Sequence, residues 1–329
     1  MREGFRWVDG QRTIRFGRGA LADAPVLLGD GYLLLTTPRA AAAAPAIAAA
    51  AAQRHDVPAG RVDDVARDLL ERLDDAAGML IVALGGGRVV DVGKGIAGAT
   101  GARALAAIPT TLSAAEMTGG HRPPRGLRPR PLRPAIVLND PALSASQPAG
   151  PLAASAANAL AHAIEGPLTT QASPVPTLAA IEAARLIAAA WPTPEPDRDA
   201  LALGALLSGY AIDSQGYGLH HIAAQTLVRE GGVGHGPANA VLLAHTVEAL
   251  RRRAPDRLAR VEDGMGGDAA AVAADLARRA GAERIRDLGV AHDRLLEIAQ
   301  AAARRADGLA LTPPAADAAE LLELYTAAW

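Results

Sequence analysis

The sequence predicts a parallel α/β domain followed by an all-helical domain, and three observations carry that expectation. Up to about residue 150, short apolar runs bounded by Gly, Pro, Thr or Asn alternate with stretches of helical spacing. From Pro151 onward the strand-like runs stop, and alanine- and leucine-rich segments with 3.6-residue spacing take over. Within the first pattern lies a triple glycine, Gly85–Gly87, at the point where a buried run turns into a helix. Strand–helix alternation of this kind packs as a parallel sheet that binds ligands at the carboxyl ends of its strands. The expected division is 1–150 for the α/β domain and 151–329 for the helical one.

Taken in order, Tyr32–Leu35, Met79–Leu84, Ala104–Ile108 and Ala135–Leu138 read as buried strands, with helices over Val62–Leu73 and Val90–Ala99. The helical half is expected over Ala153–Glu165, Thr177–Trp191, Asp199–Tyr210, Asn239–Arg253, Ala269–Arg279 and His292–Ala306. Pro and Gly breakers at 174–176, 192–196, 231–237 and 313–314 separate them. The segment Arg122–Pro134 (RPPRGLRPRPLRP) holds five arginines and five prolines, so it is neither regular helix nor central strand. It reads as a solvated loop, with anionic substrate as the alternative occupant of its arginines.

Composition narrows the function classes. A formal charge of −2 gives no electrostatic reason to expect nucleic acid or an anionic membrane as partner. The absence of cysteine removes disulfides, thiolate metal sites and cysteine nucleophiles. The opening residues MREGFRWVDG contain no apolar stretch, and the run from Ala40 to Ala52 is too short to span a bilayer, so the cytoplasm is the expected location. Lys94 is the one lysine among 33 basic residues. In a chain that favours arginine so heavily, a surviving lysine points to a need for a compact ammonium on a flexible stem.

Two loops carry a ligand signal. In MLIVALGGGRVVDVGKG a strand, three glycines and a helix follow one another, which lets backbone approach a phosphate at a helix N-terminus. The pattern is neither GxGxxG nor a P-loop. Asp91 and Lys94 are spaced i, i+3 on that helix, as a local ion pair would be. In AIPTTLSAAEM, Thr110, Thr111 and Ser113 bring hydroxyls to a second turn at the next strand end.

With GGGxxxDxxK, IPTTxxxxEMT, NALAHAIE, GLHH and GHGPANA in this order, the chain resembles the iron-containing alcohol dehydrogenase superfamily. LLLTTP at 33–38, EMT at 116–118, Asn158 and the paired His220–His221 most resemble its maleylacetate reductase branch. The resemblance implies the fold shared with dehydroquinate synthase, a Rossmann-like dinucleotide-binding domain before a helical catalytic domain, with the nicotinamide in the cleft between them. It implies NADH or NADPH as cofactor, a small-molecule substrate and a homodimer. The implied reaction reduces maleylacetate to 3-oxoadipate in aromatic-ring degradation. A metal-dependent alcohol or aldehyde dehydrogenase and a sugar-phosphate cyclase of the dehydroquinate synthase type are the alternatives the same resemblance leaves open.

The site residues follow from the matching blocks. Gly85, Gly86 and Gly87 fall at the pyrophosphate with Arg88 beside it, Asp91 and Lys94 on the helix behind. Thr110, Thr111 and Ser113 fall on the nicotinamide side. Thr37 stands where NAD-preferring members carry an acid for the ribose, and with Arg39 nearby this leaves NADPH open. Metal-dependent members use an Asp and three His, which here correspond to Asn158, His162, His221 and His235. With an amide replacing the carboxylate, three neutral imidazoles compensate a dication such as iron or zinc poorly, so acid–base chemistry without a tightly bound metal is favoured. His221 and His235, with His162, are then the catalytic candidates, since histidine ordinarily titrates near working pH. Asn158, Gln225 and Thr118 are substrate candidates. Gln225 takes the place of a further histidine. His220 and His245 read as packing residues; His121 and His292 read as surface residues, although His121 follows the EMT block closely enough to reach the cleft.

Overall fold

The structure is a computed structural model and describes residues 5–73, 76–192 and 195–329. The chain divides into two compact units, Met1–Gln147 with Arg198–Ala202, and Pro148–Asp197 with Leu203–Trp329. The segment Arg198–Ala202, expected in the helical domain, groups instead with the first unit. Its polar groups explain why: Arg198 donates to the carbonyls of Ser144 (2.6 Å) and Gln147 (3.1 Å), and Asp199 pairs with Arg18 at 2.8 Å.

The first unit is built on a seven-stranded sheet. In chain order the strands are β1 (Phe5–Asp9), β2 (Arg12–Phe16), β3 (Tyr32–Thr36), β4 (Ala51–Asp56), β5 (Leu80–Gly85), β6 (Ala104–Pro109) and β7 (Ile136–Asn139). They lie side by side as β1-β2-β7-β6-β5-β3-β4. All neighbours pair in parallel except β1, which runs antiparallel to β2. Burial on both faces is what a central parallel strand requires, and β3 and β5 are buried along their whole length. Alternate side chains supply two separate cores. Leu33, Leu35, Ile81, Ala83 and Leu105 pack under Val65, Val90 and Ile96 on one face. Leu34, Val82, Leu84, Ala106 and Ile108 pack with Leu28 and Ile47 on the other.

The four strands expected from the sequence are β3, β5, β6 and β7. The edge strand β4 alternates half-buried and exposed residues, AAQRHD, and so lacks an apolar run to announce it. β2 likewise alternates rather than forming a block. The chain leaves β3 for β4 on one side and β5 for β6 on the other, so the order reverses between β3 and β5. That reversal opens a crevice at the carboxyl ends of β3 and β5, where Thr36 and Gly85 stand.

The helix Gly87–Thr100 begins three residues earlier than expected, directly on the glycine loop. The loop 122–134 is irregular throughout and lies along this helix. A Cβ at Gly95 would come within 3.1 Å of Pro124, and one at Gly98 within 3.0 Å of Pro129. Arg125 of this loop pairs with Asp64 at 3.3 Å.

Lys94 is fully buried and donates to Asp91 Oδ1 (2.9 Å), Thr118 Oγ1 (3.1 Å) and the Gly120 carbonyl (3.2 Å). Its three N–H groups thus pin the EMT loop to the glycine-loop helix, a task for a compact ammonium rather than a planar fork. The expected outcome of Lys94→Met is a loss of about 1.5–3 kcal/mol of unfolding free energy, the worth of hydrogen bonds to a charged group. Urea denaturation of both proteins at pH 7 measures it, and unchanged stability would contradict the pinning role.

Among its described residues, the regular elements of the second unit are all helices. The helix Ala149–Glu165 is buried almost all round from Leu152 to Glu165, which marks it as the central helix. Around it in sequence come Pro174–Ala189, Arg198–Gln215, Leu219–Gly231, His235–Arg253, Pro255–Met265, Ala269–Ala280, Leu295–Ala303 and Ala318–Ala328. Leu219–Gly231, Pro255–Met265 and Ala318–Ala328 were not among the expected helices. Among the described residues no helix is long and apolar enough to cross a membrane.

Candidate functional site

In the first unit the switch between β3 and β5 gathers the features expected of a phosphate site. Gly86 is the N-cap of the helix Gly87–Thr100 and, having no side chain, caps nothing itself. Val89 and Val90 N–H both turn back to the Gly86 carbonyl. The amides ahead of them are the ones a helix leaves for an external acceptor. The glycines are also demanded by packing. A Cβ on Gly87 would stand 2.8 Å from Ser113, and one on Gly86 3.1 Å from Thr111. The two loops therefore touch, as their adjacent strand ends require: Thr110 N–H donates to the Gly85 carbonyl at 3.0 Å. Ala114 holds a left-handed φ of 61° in the second loop, a conformation that non-glycine residues seldom adopt. Arg88 is exposed at the mouth of the loop. The residues present fit a dinucleotide pyrophosphate: bare backbone, a helix N-terminus and hydroxyls from a neighbouring loop.

Several expected cofactor contacts are otherwise engaged. Lys94 and its partner Asp91 satisfy each other, and the ammonium is fully buried, so it does not face a phosphate. Thr118, expected near substrate, is the acceptor of that ammonium. Thr37 caps the helix Pro38–Ala43, its oxygen accepting from Ala40 N–H at 3.3 Å. Arg39 is exposed beside it. His121 is half-buried rather than on the surface, with Nδ1 3.3 Å from the Gly119 carbonyl, and burial lowers its pKa.

In the second unit Asn158, His162 and Glu165 lie on one face of the central helix at i, i+4 and i+7. Glu165 is fully buried, and its carboxylate closes the start of the helix Leu219–Gly231. Oε1 accepts from His220 N–H at 2.6 Å and Oε2 from His221 N–H at 3.3 Å. The same Oε2 lies 2.7 Å from His221 Nδ1. That contact makes Nδ1 the donor and leaves the Nε2 lone pair of a neutral ring free; Nε2 is buried and has no partner. The His162 ring stacks on His221 with centroids 4.7 Å apart and planes inclined by 15°. Its Nδ1 is also buried and unpartnered. His235, at the start of the helix His235–Arg253, is exposed and donates from Nε2 to Asn158 Oδ1 at 3.2 Å. Tyr217 completes the cluster, its ring 5.5 Å from that of His221.

The two adjacent histidines separate cleanly. His220 Nε2 faces Asn239 Oδ1 at 3.0 Å, and the Asn239 amide is fixed by donating to the His235 carbonyl at 2.7 Å. His220 therefore carries its proton on Nε2, and Nδ1 accepts from the Thr246 hydroxyl at 2.7 Å. With both nitrogens satisfied it is a structural residue. His245 is half-buried, and His292 stacks edge-on against Trp329 at 4.9 Å.

Burial controls the charges. It drives the His221 ring down to about 3, with His235 adding to the effect, and holds His162 well below its ordinary value. Burial raises Glu165 against the pull of His220 and the backbone N–H donors. The expectation that these histidines titrate near neutral pH is thereby corrected for His162 and His221: both are neutral, and His221 offers a lone pair.

Sequence reasoning placed Asn158, His162, His221 and His235 together, and they are together. It missed Glu165 and Tyr217. Glu165 had a signal, its i+3 spacing from His162 on a face already bearing Asn158; Tyr217 had none. Gln225, one turn beyond His221, is held by Arg305 Nη2 at 2.8 Å.

These residues do not fit a tight divalent metal site. The donors are three neutral imidazoles and an amide, without a carboxylate. His235 Nε2–H is already engaged as a donor to Asn158 Oδ1. Among the described residues no three His, Cys, Asp or Glu side chains are grouped as a metal ion needs.

The chain matches the model of the Fe-containing alcohol dehydrogenase family, C-terminal, over residues 152–329. It is 32% identical over 234 residues, 67% of its own length, to maleylacetate reductase of Rhizobium sp. strain MTP-10005, of which that alignment spans 65%. With 1,3-propanediol dehydrogenase of Citrobacter freundii it shares 35% identity over 167 residues, 48% of this chain and 43% of that one. The chain thus spans less than two thirds of either relative. Among solved structures, maleylacetate reductase from Agrobacterium tumefaciens superposes with a TM-score of 0.83 at 30% identity, covering 100% of this chain and 99% of that one. The matched family model, together with the parallel sheet before a helical unit, makes this chain a member of the iron-containing alcohol dehydrogenase family.

Proposed function

We propose that the chain is an NAD(P)H-dependent reductase acting on the activated double bond of a small carboxylate, with maleylacetate, reduced to 3-oxoadipate, as its substrate. The observation that carries this reading is the carboxylate-free cluster Asn158–His162–His221–His235, backed by Glu165. It is equipped for proton transfer rather than for holding a dication, and similarity to maleylacetate reductases supports the substrate.

A reduced nicotinamide supplies hydride when bound, and Gly85–Gly87 with Thr110, Thr111 and Ser113 are the residues to hold it. The chain's own part is the proton and the developing charge. Hydride added to the carbon β to the ketone sends the electron pair onto the ketone oxygen as an enolate, which must gain a proton at the α carbon. In the free protein His221 is a proton acceptor. An anionic substrate on one side of the ring and Glu165 on the other favour its protonated form. That imidazolium then delivers the proton, and Glu165 keeps the ring oriented throughout. His235, exposed and oriented by Asn158, exchanges protons with water. Asn158 has no charge to bind a metal and serves as a fixed hydrogen-bonding group.

Oxidation of NADH and NADPH is followed with maleylacetate and with a panel of small aldehydes, before and after chelation and alongside metal analysis. The expected result is maleylacetate-dependent oxidation that survives chelation. Both cofactors are expected to be accepted, since Thr37 provides no acid to repel a 2′-phosphate and Arg39 stands nearby. A second reading, a metal-dependent alcohol dehydrogenase, has the similarity to 1,3-propanediol dehydrogenase behind it. Aldehyde reduction abolished by chelator, without maleylacetate turnover, would establish it instead.

A further inference from the structure

Beside the histidine cluster, and wholly within the second unit, lies a cavity of about 580 Å³. Its wall includes Tyr217, whose ring meets His221, and Ile222, the residue after it. Arg304, Arg305, Asp307 and Gln171 also line it. Two guanidiniums against one carboxylate leave the lining net positive, an environment that suits an anion.

The cavity is built rather than incidental. Next to lining residues, the Thr170 N–H donates to the Leu311 carbonyl at 2.8 Å, and the Leu219 N–H to Thr312 Oγ1 at 3.0 Å. A Cβ on Gly308 would meet Ile222 at 2.6 Å, which seats the arginine segment directly on the helix Leu219–Gly231. Arg305 is oriented by Gln225 at 2.8 Å, one helical turn from His221. Gln225 stands where the family pattern has another histidine, and here its amide oxygen serves as a guide for a guanidinium.

We propose that this cavity is a carboxylate subsite, in which Arg304 and Arg305 hold the far carboxylate of a small dicarboxylate while its reactive end lies toward His221. The inference rests on the reductase reading and adds to it the residues that take the substrate's far carboxylate. A guanidinium pairs with a carboxylate through two parallel N–H donors, which fixes the end of a flexible chain as well as its charge.

Adipate, a saturated dianion that cannot be reduced, separates binding from turnover. Calorimetric titration of the purified protein with adipate, 1,6-hexanediol and inorganic phosphate is expected to show binding of adipate alone. Arg305→Gln is expected to weaken adipate by about tenfold to a hundredfold, the worth of one charge-assisted contact. Arg304→Gln, at an exposed position, provides a second variant should the first fail to fold. In turnover, KM for maleylacetate should rise in both variants with kcat and the KM for nicotinamide cofactor little changed. Adipate affinity that neither variant moves would overturn the subsite, as would phosphate binding as tightly as adipate. Maleylacetate reduction with an unmoved KM in both variants sinks the subsite and leaves the proposed function standing. Arginine-dependent adipate binding without maleylacetate turnover does the reverse.

Discussion

Replacing His221 by alanine is expected to lower kcat for maleylacetate reduction by about a hundredfold to ten-thousandfold, the range that general acid–base catalysis contributes. Affinity for the nicotinamide cofactor should remain within twofold. The separation follows from where the residues sit. The candidate phosphate-binding loops, with Gly85–Gly87 and Thr110, belong to the first unit and its sheet, whereas His221 belongs to the helical unit. His221 is also placed by more than packing: Glu165 Oε2 accepts from its Nδ1–H at 2.7 Å and from its backbone N–H at 3.3 Å. Glu165→Gln retains one acceptor oxygen for the His221 Nδ1–H, removes the charge that favours an imidazolium, and turns an amide NH2 toward the His220 N–H that Oε1 now serves. It should therefore reduce kcat by less than the alanine variant and leave cofactor affinity alone. Stopped-flow measurement of single-turnover reduction, with cofactor affinity read from NADH fluorescence, gives both quantities. Turnover of the alanine variant within tenfold of the parent would remove His221 from the chemistry.

The difference between His221 and its neighbour His220 shows how far a sequence can be read here. Adjacent residues on a helix point about 100° apart, so only one of the pair joins a given site. The block pattern was enough to choose His221. What the pattern does not contain is the partner of each ring. His220 reaches Asn239 and Thr246 on a later helix, and His221 reaches Glu165 on an earlier one. Such contacts depend on how helices cross, which spacing along the chain does not encode. The strands divide in the same manner. β3, β5, β6 and β7 announce themselves because central parallel strands are apolar on both faces, and β2 (buried and half-buried in turn) and β4 (half-buried and exposed in turn) do not because neither forms an apolar run. Lys94 is the case where a correct signal led to an incomplete role. Its singularity in an arginine-rich chain marked it as needed and the i, i+3 spacing gave the Asp91 pair, but its other two acceptors, Thr118 and Gly120, lie on a later loop that spacing does not bring near.

Glu116→Gln is expected to flatten the fall in stability that the parent shows between about pH 4.5 and pH 7. The Glu116 carboxyl is buried, with Oε1 accepting from Asn139 Nδ2 at 3.4 Å and Oε2 without a partner. Two cations lie near, yet neither pairs with it. Lys94 spends its protons on Asp91, Thr118 and Gly120, and Arg12 donates to the Glu116 backbone carbonyl and to that of Pro134. Burial therefore outweighs the favourable backbone hydrogen bond and the two positive charges, and the carboxyl is pushed up to about 7 from an ordinary 4.5. Between these values the folded chain binds more proton than the unfolded chain, so unfolding free energy falls as pH rises and levels off above 7. A shift of this size corresponds to about 3 kcal/mol. Other titrating groups are common to both proteins and cancel in the difference. Urea denaturation of parent and variant at pH 4.5, 6, 7 and 8 should thus show a gap that widens by about 3 kcal/mol in favour of the variant. Parallel curves would mean that Glu116 is ionised at no unusual cost in the folded protein, and that water or a neighbour reaches Oε2. Because Glu116 follows the loop bearing Thr110 and Thr111, the same proton should register in cofactor binding. A parent whose NADH affinity changes through pH 7, beside a variant whose affinity does not, would place that carboxyl behind the second loop as its conformational support.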